Sequence, residues 1–285
     1  MSAHLRTAAR ILILAGILAF LAACSPAAPA AAPTPPPTPS PAHTAAPTHT
    51  PTPPPTPTPS ITPTPAPALC SPLDTFAIPQ LTEIVSNPFN PPDPGLDFPH
   101  HGADYSFYRY DSRVGMLGLP VHAALAGQVA GISENRMPFG NMILIETPLN
   151  ALPADLVARL LLPTAQPTLP YTSPLTCPPL DPPLSYSPDQ RSLYLLYAHL
   201  QDPPELQLGQ TVICGQPINR VGNTGNSINE HLHLEVRVGP SGVRLGSMAH
   251  YDASASPQEQ ATYCTWRISG LFQMIDPQRL FASQN

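Results

Sequence analysis

The sequence predicts an all-β domain, an antiparallel sandwich or barrel-like sheet with long loop insertions, behind a disordered proline- and threonine-rich stalk. Three observations carry this expectation. From about Ser71 onward, short aliphatic or β-branched runs are broken by Gly and Pro, as strands and turns are. One of them, His231 to Val238, alternates strictly between polar and apolar residues. Ahead of them lies a segment of Pro, Thr, Ala and Ser that accounts for much of the chain's 44 prolines and holds too little apolar surface to fold.

Taken in order, residues 1–23 read as an export signal. Arg6 and Arg10 precede an apolar run, Ile11 to Ala23, that is shorter than the ~20 residues a comfortable membrane span needs. Leu21-Ala22-Ala23-Cys24 resembles a bacterial lipobox, which implies cleavage before Cys24 and lipidation of its sulfur. Residues 24–70 would then be a lipidated cysteine and a polyproline-II-biased stalk. His43 and His49 fall in that stalk and read as solvated. Residues 71–285 form the folded domain in this reading.

Within it the expected strands are "PVHAALAGQVAGIS", "GNMILIET", "RSLYLLYAHL", "QTVICGQPINRVG" and "HLHLEVRV". A Pro-rich insertion lies at about 147–191, with one short helix expected at "PADLVARLLL". A second irregular stretch runs from Gly239 to about Phe272. Cys70, Cys177, Cys214 and Cys264 are an even set in an exported chain, so two disulfides are expected, with all three connectivities open. The net charge of −6 and the absence of lysine argue against a nucleic-acid partner, which requires a basic surface.

Candidate chemistry starts in the alternating strand. His231, His233, Glu235 and Arg237 share one face, and Leu232, Leu234, Val236 and Val238 the other. Alone, the His-Leu-His pattern fits a solvated strand face as well as a ligand pair. "FPHHGADYS" adds His100 and Asp104, separated by three residues with Gly102 at the middle. One more imidazole beside this pair gives three ligands and an open fourth position, the arrangement of catalytic zinc.

The motifs, in order, resemble the lysostaphin/LytM-type zinc metallopeptidases, most of which cut peptidoglycan peptides. "HHGAD" corresponds to the family's H-x-G-x-D block, and "GQVAGI" with "FGNMILIE" to its central strand pair. "YLLYAHL" and "LGQTVICGQPINRVGNTGNSINEHLHLE" follow with the family's spacing, and "IDPQRLF" resembles its closing segment. The resemblance implies a duplicated hybrid motif fold and one zinc ion bound by His100, Asp104 and His233. It further implies that His199 and His231 are the two non-ligand active-site histidines. One would take the proton of the attacking water and the other stabilise the oxyanion, with His231 assigned as base. Peptidoglycan peptides are the implied substrate, hydrolysed by a protein held on the outer side of the cytoplasmic membrane through Cys24. A non-hydrolytic regulator of cell-wall or division enzymes is the alternative, and the complete ligand set speaks against it.

Asn219 and Glu230 depart from the family pattern, and the loop Tyr105 to Leu119 is longer than usual. Bland readings are expected elsewhere. His101 alternates away from the ligands towards solvent, and His122 and His250 lie outside the site. Glu235 supports the strand face or bonds a ligand histidine. Tyr263 and Trp266 pack the last loop, and Asn223-Thr224-Gly225 forms a structural turn.

Overall fold

Alternation along one strand organises the sheet. In the computed structural model, which describes residues 68–107, 115–164 and 173–282, this strand pairs with three others. The expected signal, Cys24 and nearly all of the stalk lie outside the described residues. Among the described residues ten strands form in chain order: β1 Val85–Asn87, β2 Ala103–Tyr105, β3 Pro120–His122, β4 Gly127–Arg136, β5 Gly140–Pro148, β6 Ser187–Leu200, β7 Thr211–Val212, β8 Pro217–Arg220, β9 Leu232–Ser241 and β10 Gln273–Ile275. Eight of them make one antiparallel sheet, ordered β1-β2-β9-β6-β5-β4-β7 with β10 also on β9, and β3 pairs with β8 in a small second sheet. The expected antiparallel all-β class is the one observed.

Both faces of the main sheet are covered, which explains why β5 is buried at every position but its last. On one face Ile143, Ile145, Leu193, Leu195 and Tyr197 join Leu232, Leu234, Val236 and Val238 in the larger core cluster. Leu73, Val121 and Ile218, with Leu81 and Ile84 of the 3-10 segment Ile78–Ile84, pack there too. On the other face Met142, Leu144, Tyr194, Leu196 and Ala198 meet Tyr263, Trp266 and Phe272.

Among the described residues three α-helices interrupt the β pattern: α1 Ala154–Arg159, α2 Pro257–Arg267 and α3 Pro277–Phe281. The first is the helix expected in the Pro-rich insertion. The strand after that insertion begins four residues earlier than expected, at Ser187. Inside the stretch expected to be irregular, α2 is a regular helix with a readable start signal. Ser256 caps it, Pro257 opens it, and Glu259 closes a capping box. Disulfides join Cys70 to Cys214 and Cys177 to Cys264, so the second ties the insertion to α2.

Gly102 sits where the chain passes directly over β9. A Cβ there would run into the Leu234 carbonyl, which is backbone and cannot yield. Gly102→Ala is therefore expected to cost about 1–3 kcal/mol, as overpacking does. Chemical denaturation checks this, and unchanged stability would show that β2 docks more loosely than described.

Candidate metal centre and active-site cleft

The sheet brings the candidate ligands together through register. Asp104 on β2 pairs directly with His233 on β9, which pairs with Ala198 on β6. His100 precedes β2 and is fixed by two backbone hydrogen bonds with Asn90, of 2.9 and 3.0 Å. Its Nε2 lies 3.1 Å from Asp104 Oδ1 and 3.2 Å from His233 Nδ1, and His233 Nδ1 lies 2.7 Å from the same oxygen.

The remaining atoms of these side chains are committed elsewhere. His100 Nδ1 donates to the Pro88 carbonyl at 2.9 Å, which leaves the lone pair on Nε2. His233 Nε2 donates to Glu235 Oε1 at 3.3 Å, directing Nδ1 towards Asp104. Asn87 Nδ2 donates to Asp104 Oδ2 at 3.0 Å, leaving Oδ1 for the cluster. These outer bonds select the facing atoms, as the supports of metal ligands do.

The three donor atoms suit zinc in type and spacing. Two imidazole nitrogens and one carboxylate oxygen lie within 4.8 Å of one another. A tetrahedron with bonds of ~2.0 Å has edges of about 3.3 Å, close to two of the three separations. Burial alone would push His233 down, but hydrogen bonds to Asp104 and Glu235 raise it to about 9. Asp104, which burial would push up, is held far below the usual carboxylate range by His100 and His233.

His231 and His199 complete the group. His231 Nε2 lies 3.5 Å from Asp104 Oδ1, and its Nδ1 donates to the Asn229 carbonyl at 2.8 Å. Burial lowers its pKa. His199 Nδ1 donates to the Thr224 carbonyl at 2.8 Å, and its ring centre is 4.7 Å from that of His231. Burial first, then the neighbouring histidines, push His199 down to about 3. Both rings are thus neutral near pH 7, with the lone pair on Nε2.

His199 reaches the site through a break in strand geometry. Tyr197 points to one core and Ala198 to the other, so alternation would send His199 after Tyr197. Instead its φ is 60°, a left-handed conformation that non-glycine residues avoid. Its N–H donates to the Phe139 carbonyl at 2.9 Å, holding that turn.

All five candidates line one cleft of about 680 Å³. Residues 187–245 match Peptidase family M23. The matched segment runs from β6 through β9 and contains His199, His231 and His233, while His100 and Asp104 precede it. This match covers the later motifs of the resemblance to lysostaphin/LytM-type peptidases, from the strand ending at Leu200 to the His231–Glu235 strand. Among solved structures, the chain is similar to the catalytic domain of the antimicrobial peptidase lysostaphin from Staphylococcus simulans, with 17% identity, covering 73% of this chain and 98% of that one at a TM-score of 0.37. It is similar to the catalytic domain of the prophage-encoded M23 protein EnpA from Enterococcus faecalis, with 18% identity, 56% and 85% coverage, and a TM-score of 0.32. A zinc-containing peptidase from Vibrio cholerae aligns at 22% identity over 53% of this chain and 32% of its own length, at a TM-score of 0.29.

The structure corrects several readings around the site. His101 is fully buried rather than exposed. Its Nδ1 accepts from Arg237 Nη2 at 2.6 Å, and burial, with Arg267 and Arg237, pushes its pKa down to about 2. The polar face of β9 is likewise buried, because α2 covers it. Glu235 receives Arg237, Arg267 and the Trp266 indole. Burial would raise Glu235, but Arg237 and Arg267 hold it well below its ordinary value. Thr224 does more than shape a turn, since its carbonyl sets the His199 tautomer. Asp97, Asn87 and Pro88 also support the site and gave no signal, because their roles depend on contacts distant in sequence.

Because His233 is held protonated up to about 9, a bound metal must displace that proton. Below pH 9 more of the metal-free site carries the proton, so apparent affinity falls as pH falls. A chelator-competition titration of zinc between pH 7 and pH 9 is expected to show about a tenfold gain per pH unit. A flat profile would mean that no proton occupies the His233–Asp104 contact.

Proposed function

We propose that this protein is a zinc-dependent endopeptidase that hydrolyses amide bonds in peptidoglycan stem peptides or cross-bridges. The observation that carries the reading is the convergence of His100, Asp104 and His233 beside two further neutral histidines. We also propose that Cys24 is lipidated and holds the domain on the outer side of the cytoplasmic membrane, with the proline-rich segment as its tether.

In this reading His100 Nε2, Asp104 Oδ1 and His233 Nδ1 hold the ion, which when bound polarises the scissile carbonyl and acidifies a water molecule. His231 Nε2 takes a proton from the attacking water and returns one to the departing amine. Its place beside Asp104 and the Asn229 anchor on its other nitrogen support that assignment. His199 fits the oxyanion-donor role poorly. Thr224 takes its Nδ1 proton, so the neutral ring offers an acceptor rather than a donor. It is suited to receive a hydrogen bond from the attacking water or from a substrate N–H.

The cleft rim supports a substrate with apolar side chains. Phe98 and Tyr251 line the cleft, 64% and 44% exposed, with ring centres 6.2 Å apart, and the exposed Ile228 also borders it. These side chains gain by covering an apolar group of the bound peptide.

Three measurements test this. The purified chain incubated with peptidoglycan is expected to release new amino groups, to stop with chelator and to recover with zinc. His231→Ala is expected to keep its metal and lose about 10²–10⁴-fold in kcat. Chelator-insensitive walls, with no release at all, would favour the non-hydrolytic regulator. On a cleaved peptide, Phe98→Ala is expected to raise KM about tenfold with kcat unchanged. An unchanged KM would remove the rim from the substrate path.

A further inference from the structure

Arg267, the last residue of α2, touches both chain segments that carry the candidate histidine ligands. Its Nε donates to Asp97 Oδ1 at 2.6 Å and its Nη2 to the Asp97 carbonyl at 3.1 Å. Its Nη1 donates to Glu235 Oε1 at 2.5 Å. Asp97 lies three residues before His100, and Glu235 two residues after His233. The oxygen that receives Arg267 is also the one that receives His233 Nε2.

Each carboxylate is fully engaged. Asp97 Oδ2 accepts from Tyr251 at 2.6 Å and Tyr263 at 2.7 Å. Glu235 Oε2 accepts from Arg237 Nε and Nη2 and from Trp266 Nε1, at 3.0, 2.8 and 2.9 Å. Two carboxylates and two guanidiniums balance in charge, and none of them is more than 9% exposed.

We propose that Arg267 is a positioning residue that sets the separation of the two ligand histidines, fixing His100 through Asp97 and His233 through Glu235. The proposal rests on the metal-site reading above. A purely structural tie is a poor account of this arginine. Helix α2 is already fastened by buried Tyr263 and Trp266 and by the Cys177–Cys264 disulfide. A buried ion pair adds little stability over well-packed apolar residues, because desolvation offsets its attraction. What an apolar residue cannot do is grip two segments in a fixed geometry, and the planar guanidinium fork can. Arg267 thereby links the α2 insertion to the metal-binding end of the sheet.

The test compares the full chain with Arg267→Lys, Asp97→Asn and Val243→Ala. Lysine keeps the charge but is a point donor that cannot hold both carboxylates in one plane. Asp97→Asn removes one end of the clamp with an isosteric group and decides the matter if the lysine variant fails to fold. Val243→Ala destabilises the core on the α2 side without touching the clamp. Zinc affinity by chelator competition and the visible absorption of the cobalt(II)-loaded protein are measured beside thermal stability. The two clamp variants are expected to bind zinc about 10–100-fold more weakly and to show an altered cobalt spectrum. Val243→Ala is expected to lower the melting temperature alone. Clamp variants that melt earlier yet keep wild-type zinc affinity and cobalt spectrum would overturn the proposal. A wild-type chain that binds no zinc would instead overturn the metal-site reading itself.

Discussion

The site is organised by one electrostatic conflict: three electron-pair donors converge on the same few ångströms. Pro88 accepts from His100 Nδ1 and turns its Nε2 inwards, where it meets the Asp104 carboxylate at 3.1 Å. His233 Nδ1 meets that oxygen at 2.7 Å. Without a positive charge between them these groups repel, and the repulsion is strong because water is largely excluded. In the metal-free protein the charge is a proton on His233, which the two flanking carboxylates retain. A divalent ion satisfies all three donors at once, whereas a proton serves only two. In the proposed site proton and metal would therefore compete for one place, which the supports around the candidate ligands keep open.

Those supports follow from how β9 is pinned. Its apolar side, Leu232 to Val238, lies in the larger core and fixes the register, since a slip of one residue would exchange the two faces. Register then obliges His231, His233, Glu235 and Arg237 to face the opposite way, under α2. A buried polar face is costly unless each group finds a partner. Most of those partners come from α2 and from the segment before β2. Arg267 and Trp266 meet Glu235, while Asp97 and the Trp266 carbonyl complete the pairing of the two arginines. The ion network is thus a consequence of placing a candidate metal ligand on a strand with both faces covered.

The strand segments and the histidine and aspartate motifs were legible because they obey local rules. Period-two alternation marks β9, and the spacing of His100 and Asp104 survives folding because only a short bend separates the bridge of His100 to Asn90 from β2. His101 was misread for the opposite reason. Alternation correctly turned it away from His100, but the face it turned to is covered by Arg237, which is remote in sequence. Helix α2 did carry a start signal in Ser256-Pro257-Gln258-Glu259, but its surroundings lack the apolar periodicity that marks a helix. The disulfide pairing had no local signal at all, since each bond joins cysteines at least 87 residues apart.

His199 shows where local rules give way to function. Strand alternation predicts that it follows Tyr197 into the core, where an imidazole would lack partners. The chain instead adopts a left-handed φ there, a conformation that costs on the order of 1 kcal/mol or more for a residue with a Cβ. Two hydrogen bonds, to the carbonyls of Phe139 and Thr224, hold backbone and ring in place. Neither bond could form if the strand continued regularly. The strain thus moves an imidazole from the core side of the sheet to the cleft and fixes its tautomer in the same turn. That coupling also limits its chemistry: a ring whose Nδ1 proton is already given to a carbonyl acts on the substrate side as an acceptor until it gains a second proton.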